Sequence, residues 1–429
     1  MIPRFSRRMK FLLPALLVLG ISSLGFAQAA AQASDDLTGT SISSISTAKI
    51  SHMAVAPRGH RNGQGHARFG IPDIDSLVNF NDHFKASGFD AFGNPQHIWY
   101  YNMVGNPPQL GGTTTINAPI VPVTMDLRNA DGSPRFVKGQ PLISSPAAFV
   151  TPTLNSPVFS NGTYTSSSTP TQITDAVQRA QFFKSAKSDW HTVLAPSVKT
   201  GRTMVLRRGT YQFALNGDGT CCAFILVDAN TFVNALFPAT ATDTTTPIGA
   251  AENAGDITTK DISTFLFPNT YLFGSFGCCV LGFHSYDLEP GDASDNFASE
   301  KRFVVNYSSW ISPGIFGGGF SDVTALSHEI AESFDDPFVA SDNIHNITPW
   351  WLSPNGNCQD NLENGDVIEG LPNGTFPITM NNFTYHPQNE PMLQWFEFES
   401  PSSAIDGTYS YPNETTLTAL SAPQNPGCQ

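Results

Sequence analysis

The run Asp322 to Pro337, DVTALSHEIAESFDDP, places an imidazole and several carboxylates in one short segment. If it is helical, His328 and Glu332 stand four positions apart and project from one face. A neutral imidazole and a carboxylate at that spacing both suit zinc, and Glu329 beside them is placed to act as a base toward metal-bound water. A further ligand must come from elsewhere. Downstream, Glu363 and Asp366 offer two carboxylates on a turn, and His386, in Tyr385-His386-Pro387-Gln388, offers a second imidazole. Tyr385 or His386 is alternatively suited to stabilise the oxyanion formed when water attacks a carbonyl. Asp335 and Asp336 lie near the same helical face. Negative charge at a helix C-terminus costs about 0.3–1 kcal/mol, so a nearby cation is one explanation for them, and a turn that ends the helix at Asp336-Pro337 is the simpler one.

An HExxE pattern also arises on ordinary amphipathic helices, with its glutamates in water. Here Val323, Ala325, Leu326, Ile330 and Ala331 imply burial instead. A polar triplet buried among such residues needs partners, because an unpaired buried charge is very costly.

The segment resembles the HExxH helix of the zincin metallopeptidases, with Glu332 where those proteins carry a second histidine. A carboxylate there keeps a ligand but lowers the positive charge of the site. The chain is also similar, over about residues 270–410, to a looser group of secreted microbial proteins whose HExxE helix is followed by an acidic residue or Asn and then Pro. The resemblance implies an α+β, zincin-like fold with a mixed or antiparallel sheet, an active-site helix and an irregular, turn-rich C-terminal part. It implies zinc held by His328 and Glu332 with Glu363 or Asp366, and a peptide or protein substrate. In role, Glu363 resembles the distant glutamate ligand of the thermolysin-like group. Arg302 to Tyr307 fits the edge strand with which zincins hold an extended peptide, although an ordinary core strand is the preferred reading. His284, His97 and His191 read as structural.

The elements that must position these groups are legible to differing degrees. The motif helix is expected over 322–335, with Ser321 or Asp322 as N-cap. Asp175 to His191 reads as a second amphipathic helix. Ala118 to Leu127 reads as a strand that Pro119 and Pro122 confine to an edge or an irregular position. Thr203–Leu206, Ala223–Asp228 and Arg302–Tyr307 are β-rich, whereas 151–171 and 238–261 read as loops. After Pro337, short strands and turns are expected.

Arg4, Arg7, Arg8 and Lys10, an apolar run from Phe11 to Phe26 and small residues up to Ala33 compose a cleavable signal peptide over 1–33. Its removal would take the formal charge from −14 to −18, since those four basic residues leave with no acid. So acidic a chain lacks the footprint of nucleic-acid binding, and no later segment is apolar enough to anchor it in a membrane. The expected location is secreted or periplasmic. Residues 34–115 read as an N-terminal extension or propeptide-like region, with His52, His60 and His66 in a polar linker, and 116–429 as the zincin-like domain. The six cysteines suggest disulfides: two bridges between the doublets Cys221-Cys222 and Cys278-Cys279, and a third between Cys358 and Cys428. Each cross-doublet bridge would close a loop worth about 4 kcal/mol. The alternative to a zinc peptidase is a non-catalytic secreted binding protein, with acidic turns holding calcium or sugars and Trp350, Trp351 and Trp395 as stacking surfaces.

Overall fold

The computed structural model describes residues 34–42, 58–59, 77–84, 88–89, 95–96, 99–165, 169–289, 301–317, 319–339, 351–356, 358–359 and 362–420. The predicted signal peptide, the His52/His60/His66 tract, Trp350 and Cys428 lie outside them, as do the side chains of Trp351 and Cys358. No helix among the described residues is long and apolar enough to cross a membrane.

Asp35–Gln429 is one unit of α+β class. Besides short two- and three-residue strands elsewhere, its strands include β1 (Arg58–Gly59), β2 (Asn79–Phe84), β3 (Trp99–Val104), β4 (Thr113–Arg128), β5 (Ile143–Ser144), β6 (His191–Val198), β7 (Arg202–Arg207), β8 (Tyr211–Leu215), β9 (Cys221–Asp228), β10 (Ile262–Pro268), β11 (Thr270–Gly274), β12 (Gly277–Val280), β13 (Gly282–Glu289) and β14 (Lys301–Trp310). The helices that matter here are α1 (Ile173–Gln181), α2 (Ala229–Leu236), α3 (Pro247–Asn253) and α4 (Thr324–Asp335). The main sheet runs β1-β13-β14-β10-β4-β6, with β7 and β5 also on β4. It is mixed: β6, β7, β10 and β14 run parallel with β4, while β13 is antiparallel to β14.

Side chains alternate across this sheet and fill a core on each face. Val121, Val123, Met125 and Leu127 of β4 pack with Phe232 of α2 and Phe283 of β13. Ile116, Ala118 and Ile120 join the opposite core, which holds Val177 of α1, Tyr286 and Leu288 of β13, and Leu326, Ile330 and Phe334 of α4. The last three recur every fourth position, so one face of α4 lies on the sheet. The other face is also covered, and all twelve residues of α4 are buried.

Several expectations change. Residues 77–84 and 99–104 are not part of a separate extension: Leu77 and Val104 sit in the second core, and Phe80 and Met103 in a third. A boundary at 115/116 would cut β4 in two. That strand is interior, not an edge, with β10 on one side and β6 and β7 on the other, and Pro122 falls in the seam between the β6 pairing, which ends at Ile120, and the β7 pairing, which starts at Val123. The missing N–H therefore costs no ladder bond to either strand. Asp175–His191 is helical only to Gln181, because Trp190 must fold back to meet Phe182 edge-on at 5.7 Å. Residues 238–261 contain α3, and β14 lies between two strands, as an ordinary core strand does.

The cysteine doublets do not bridge each other. Cys221 pairs with Cys222 and Cys278 with Cys279. In the four-stranded sheet β8-β9-β11-β12, the doublets lie on β9 and β12 with β11 between. Two strand spacings are about 9.5 Å, beyond the reach of a disulfide.

A burial effect gives the first prediction. Burial, then the charges of Glu399 and Asp82, push the Glu397 carboxyl up to about 8. A raised folded pKa means stability that is present at acid pH and declines as pH rises toward about 8. Glu397→Gln is therefore expected to melt close to the parent near pH 4 and about 1–3 °C above it at pH 9, as calorimetry would record.

Candidate metal centre

On α4, His328 Nε2 lies 3.1 Å from Glu332 Oε1, as the four-residue spacing predicts. The two atoms nonetheless lack hydrogen-bond geometry, and Glu332 Oε1 is buried without a hydrogen-bond partner. The turn after the helix supplies Asp366, whose Oδ1 lies 3.4 Å from His328 Nε2, and Glu363. Both carboxylates predicted from that turn thus reach the centre. Gly365 between them has no side chain for a steric reason: a Cβ there would stand 2.5 Å from His328 Nδ1.

The second imidazole is His284, which the sequence reading set aside as structural. It belongs to β13, where alternation puts it on the same face as Tyr286 and Leu288, against α4. Its Nδ1 lies 3.2 Å from Glu332 Oε2, 3.7 Å from Glu329 Oε2 and 3.8 Å from Glu363 Oε2. Gly282, at the start of the same strand, leaves room for Glu329; a Cβ there would meet Glu329 Oε1 at 2.5 Å. The signal for this imidazole in the sequence is the run GFHSYDLE, whose alternation as a strand puts His284, Tyr286 and Leu288 on one face.

His386 and Tyr385 do not join this group. His386 Nδ1 lies 2.7 Å from Asp322 Oδ2, and Asp322 Oδ1 accepts from the backbone N–H of His386, which ties this segment to the start of α4. Tyr385 donates its hydroxyl to the Pro152 carbonyl. Asp322 is engaged in this contact one residue before the N-cap position, Val323. What the segment contributes is Gln388. Its Oε1 lies 2.9 Å from His328 Nδ1, while its amide N–H donates to the Gly365 carbonyl. A carbonyl only accepts, so the amide orientation is set; Nδ1–H donates to Gln388 and Nε2 faces the carboxylates. Such partners are commonly worth ten- to hundredfold in metal affinity. Gln388→Ala is expected to weaken zinc binding by about that factor, as a competition titration with a chromogenic chelator would measure.

All six groups are at most 9% exposed, so their charges act on one another with little help from water. Burial opposes protonation of both imidazoles, but the carboxylates outweigh it. Glu363, Glu329 and Glu332 hold His284, and Glu332, Glu329 and Asp366 hold His328, well above the usual imidazole range. Burial likewise opposes ionisation of Glu332, yet His328 and then His284 hold it well below the usual carboxylate range, so it stays anionic. Glu329 is raised by its burial, the imidazoles offsetting part of the effect. A metal bound here would have to displace the imidazole protons and so would bind more tightly as pH rises. Glu390, also unforeseen, is raised well above the usual range by burial, and its two oxygens are buried without hydrogen-bond partners.

Asp335 stays outside the centre. It accepts from Gln181 and Asn364, and burial pushes it up to about 7. His191 pairs with Asp175, in keeping with a structural role. A separate group, Glu252, Asp287 and Glu289, lies on the opposite face of β13, has no imidazole and suits a hard cation such as calcium. A surface cleft lined by Thr171, Arg179, Phe183, Ile405 and Tyr411 shares no residue with either group.

The six groups fit a divalent metal. Borderline nitrogen donors and carboxylates are the ligands that zinc takes, and buried oxygens such as Glu332 Oε1 and Glu329 Oε2 lack hydrogen-bond partners. Set against known proteins, the chain matches no family model, no curated protein and no solved structure.

Proposed function

We propose that the protein is an exported, metal-dependent hydrolase of the peptidase type. The observation that carries this reading is the convergence of His284, His328, Glu332, Glu363 and Asp366 around Glu329 in a buried setting. Zinc bound there would supply a Lewis acid and lower the pKa of an attached water. His284, His328, Glu332, Glu363 and Asp366 are the residues that would hold metal, and Gln388 orients His328. Glu329 takes a proton from the attacking water and passes it to the leaving amine, a role that its raised pKa favours.

An extended peptide fits beside β13 better than beside β14, which has strands on both sides. Opposite β14, β13 pairs among the described residues only with the two-residue β1, at Asp287 and Leu288, and His284 lies upstream of that pairing. Backbone pairing there would bring a substrate next to the centre. The non-catalytic alternative loses one of its supports, since Trp395 is fully buried and offers no stacking surface. Calcium at Glu252, Asp287 and Glu289 is compatible with either reading.

The test is cleavage of a mixed peptide library by the chelator-stripped chain reloaded with zinc. Zinc-restored cleavage is expected. Stoichiometric zinc with no cleaved peptide in the library would overturn the peptidase reading.

A further inference from the structure

We propose that the centre holds two divalent ions rather than one, with Glu332 bridging them. This inference rests on the metal centre of the hydrolase reading and adds its nuclearity.

The donor atoms that lie within 4.8 Å of one another form two groups here: His284, Glu332 and Glu363, and His328, Glu332 and Asp366. Neither group contains both imidazoles. Ligands bound at about 2.1 Å to one ion are at most about 4.2 Å apart, and about 3.4 Å apart if tetrahedral. Within the first group the separations from His284 Nδ1 are 3.2 and 3.8 Å; within the second, those from His328 Nε2 are 3.1 and 3.4 Å. Each group is thus spaced to surround an ion of its own.

Glu332 belongs to both groups through different atoms: Oε2 faces His284 and Oε1 faces His328. That is how a carboxylate spans two metals about 3.5–4 Å apart. Each ion would have one imidazole, one terminal carboxylate and one oxygen of the bridge. Glu329 belongs to neither group, although its oxygens stand 3.7 Å from His284 and 4.0 Å from His328, which leaves it free to act on a water shared between the ions.

Charge points the same way. Glu329, Glu332, Glu363 and Asp366 are four buried carboxylates. With neutral imidazoles, two divalent ions balance them, whereas one would leave about two negative charges in a poorly solvated site. The pair also explains the departure from HExxH. A histidine at position 332 would offer one donor atom to one ion; a glutamate offers two.

The test is titration of the metal-stripped full chain with manganese(II) alone, followed by electron paramagnetic resonance. Two ions per chain with an exchange-coupled spectrum are expected, and Glu332→His should bind one ion fewer and lose the coupling. A single ion at saturation in the unmutated chain would overturn the proposal, as would a second ion with the spectrum of an isolated site, which would place it elsewhere, for instance at Glu252, Asp287 and Glu289. A coupled pair in the unmutated chain supports the proposal even if Glu332→His does not fold. A coupled pair without peptide cleavage would remove the peptidase reading and keep the pair; cleavage with a single ion would do the reverse.

Discussion

His284→Ala is expected to lower peptide cleavage by about 10²–10³-fold, the several kcal/mol of charge stabilisation that a correctly held metal supplies. The reason is positional. His284 Nδ1 lies 3.2 Å from Glu332 Oε2, and no other imidazole belongs to the group that contains Glu363. Its opposite nitrogen, Nε2, is buried without a hydrogen-bond partner, so no network in the described structure depends on that atom. A purely structural histidine would predict a different outcome: a lower melting temperature, with the metal affinity of the folded fraction unchanged. Equilibrium dialysis of zinc, with circular dichroism as a check on folding, separates the two. Unaltered affinity in a folded variant would remove His284 from the centre.

Glu329→Gln is expected to reduce cleavage by about 10²–10⁴-fold, the usual contribution of a general base, while bound metal stays unchanged. Glu329 stands beside both imidazoles but in neither group of mutually close donors. Burial raises its carboxyl above the ordinary range, toward the neutral pH at which a base is most useful. The amide preserves the shape of the side chain and cannot take the proton. Loss of metal together with activity would make Glu329 a ligand, and retained cleavage by a pure sample would exclude it as the base.

These two residues also mark how far the site was legible. The His328, Glu329 and Glu332 cluster is legible because it lies in local spacing: a helical turn brings His328 and Glu332 together whatever the rest of the chain does, and the structure places their facing atoms 3.1 Å apart. The nearness of Glu363 and Asp366 to each other is legible for a related reason, since one short polar turn carries both carboxylates. His284 lies on a strand remote in sequence from α4, and only the docking of α4 against β13 makes it a neighbour. Tyr385 and His386 lie in a segment that approaches the centre, but their own side chains are engaged elsewhere. The residue that reaches His328 is Gln388, because Asp322 and the Pro152 carbonyl engage the other two.

The fold divides in the same way. Strands rich in β-branched residues, the amphipathic spacing of α4 and the turn-rich region after Pro337 follow from preferences acting over a few residues, and the sequence determined them together with the α+β class. Which strands are neighbours is a matter of long-range packing. The interposed β11 decided that Cys221 and Cys278 could not meet, and the seam between β6 and β7 decided that Pro122 could sit inside a sheet. The sequence by itself thus determined one helix, its local donors and an acidic turn. Tertiary structure alone decided that a second imidazole completes them and that Glu332 turns an oxygen toward each, because those relations depend on how the strand and the helix pack and not on spacing along the chain.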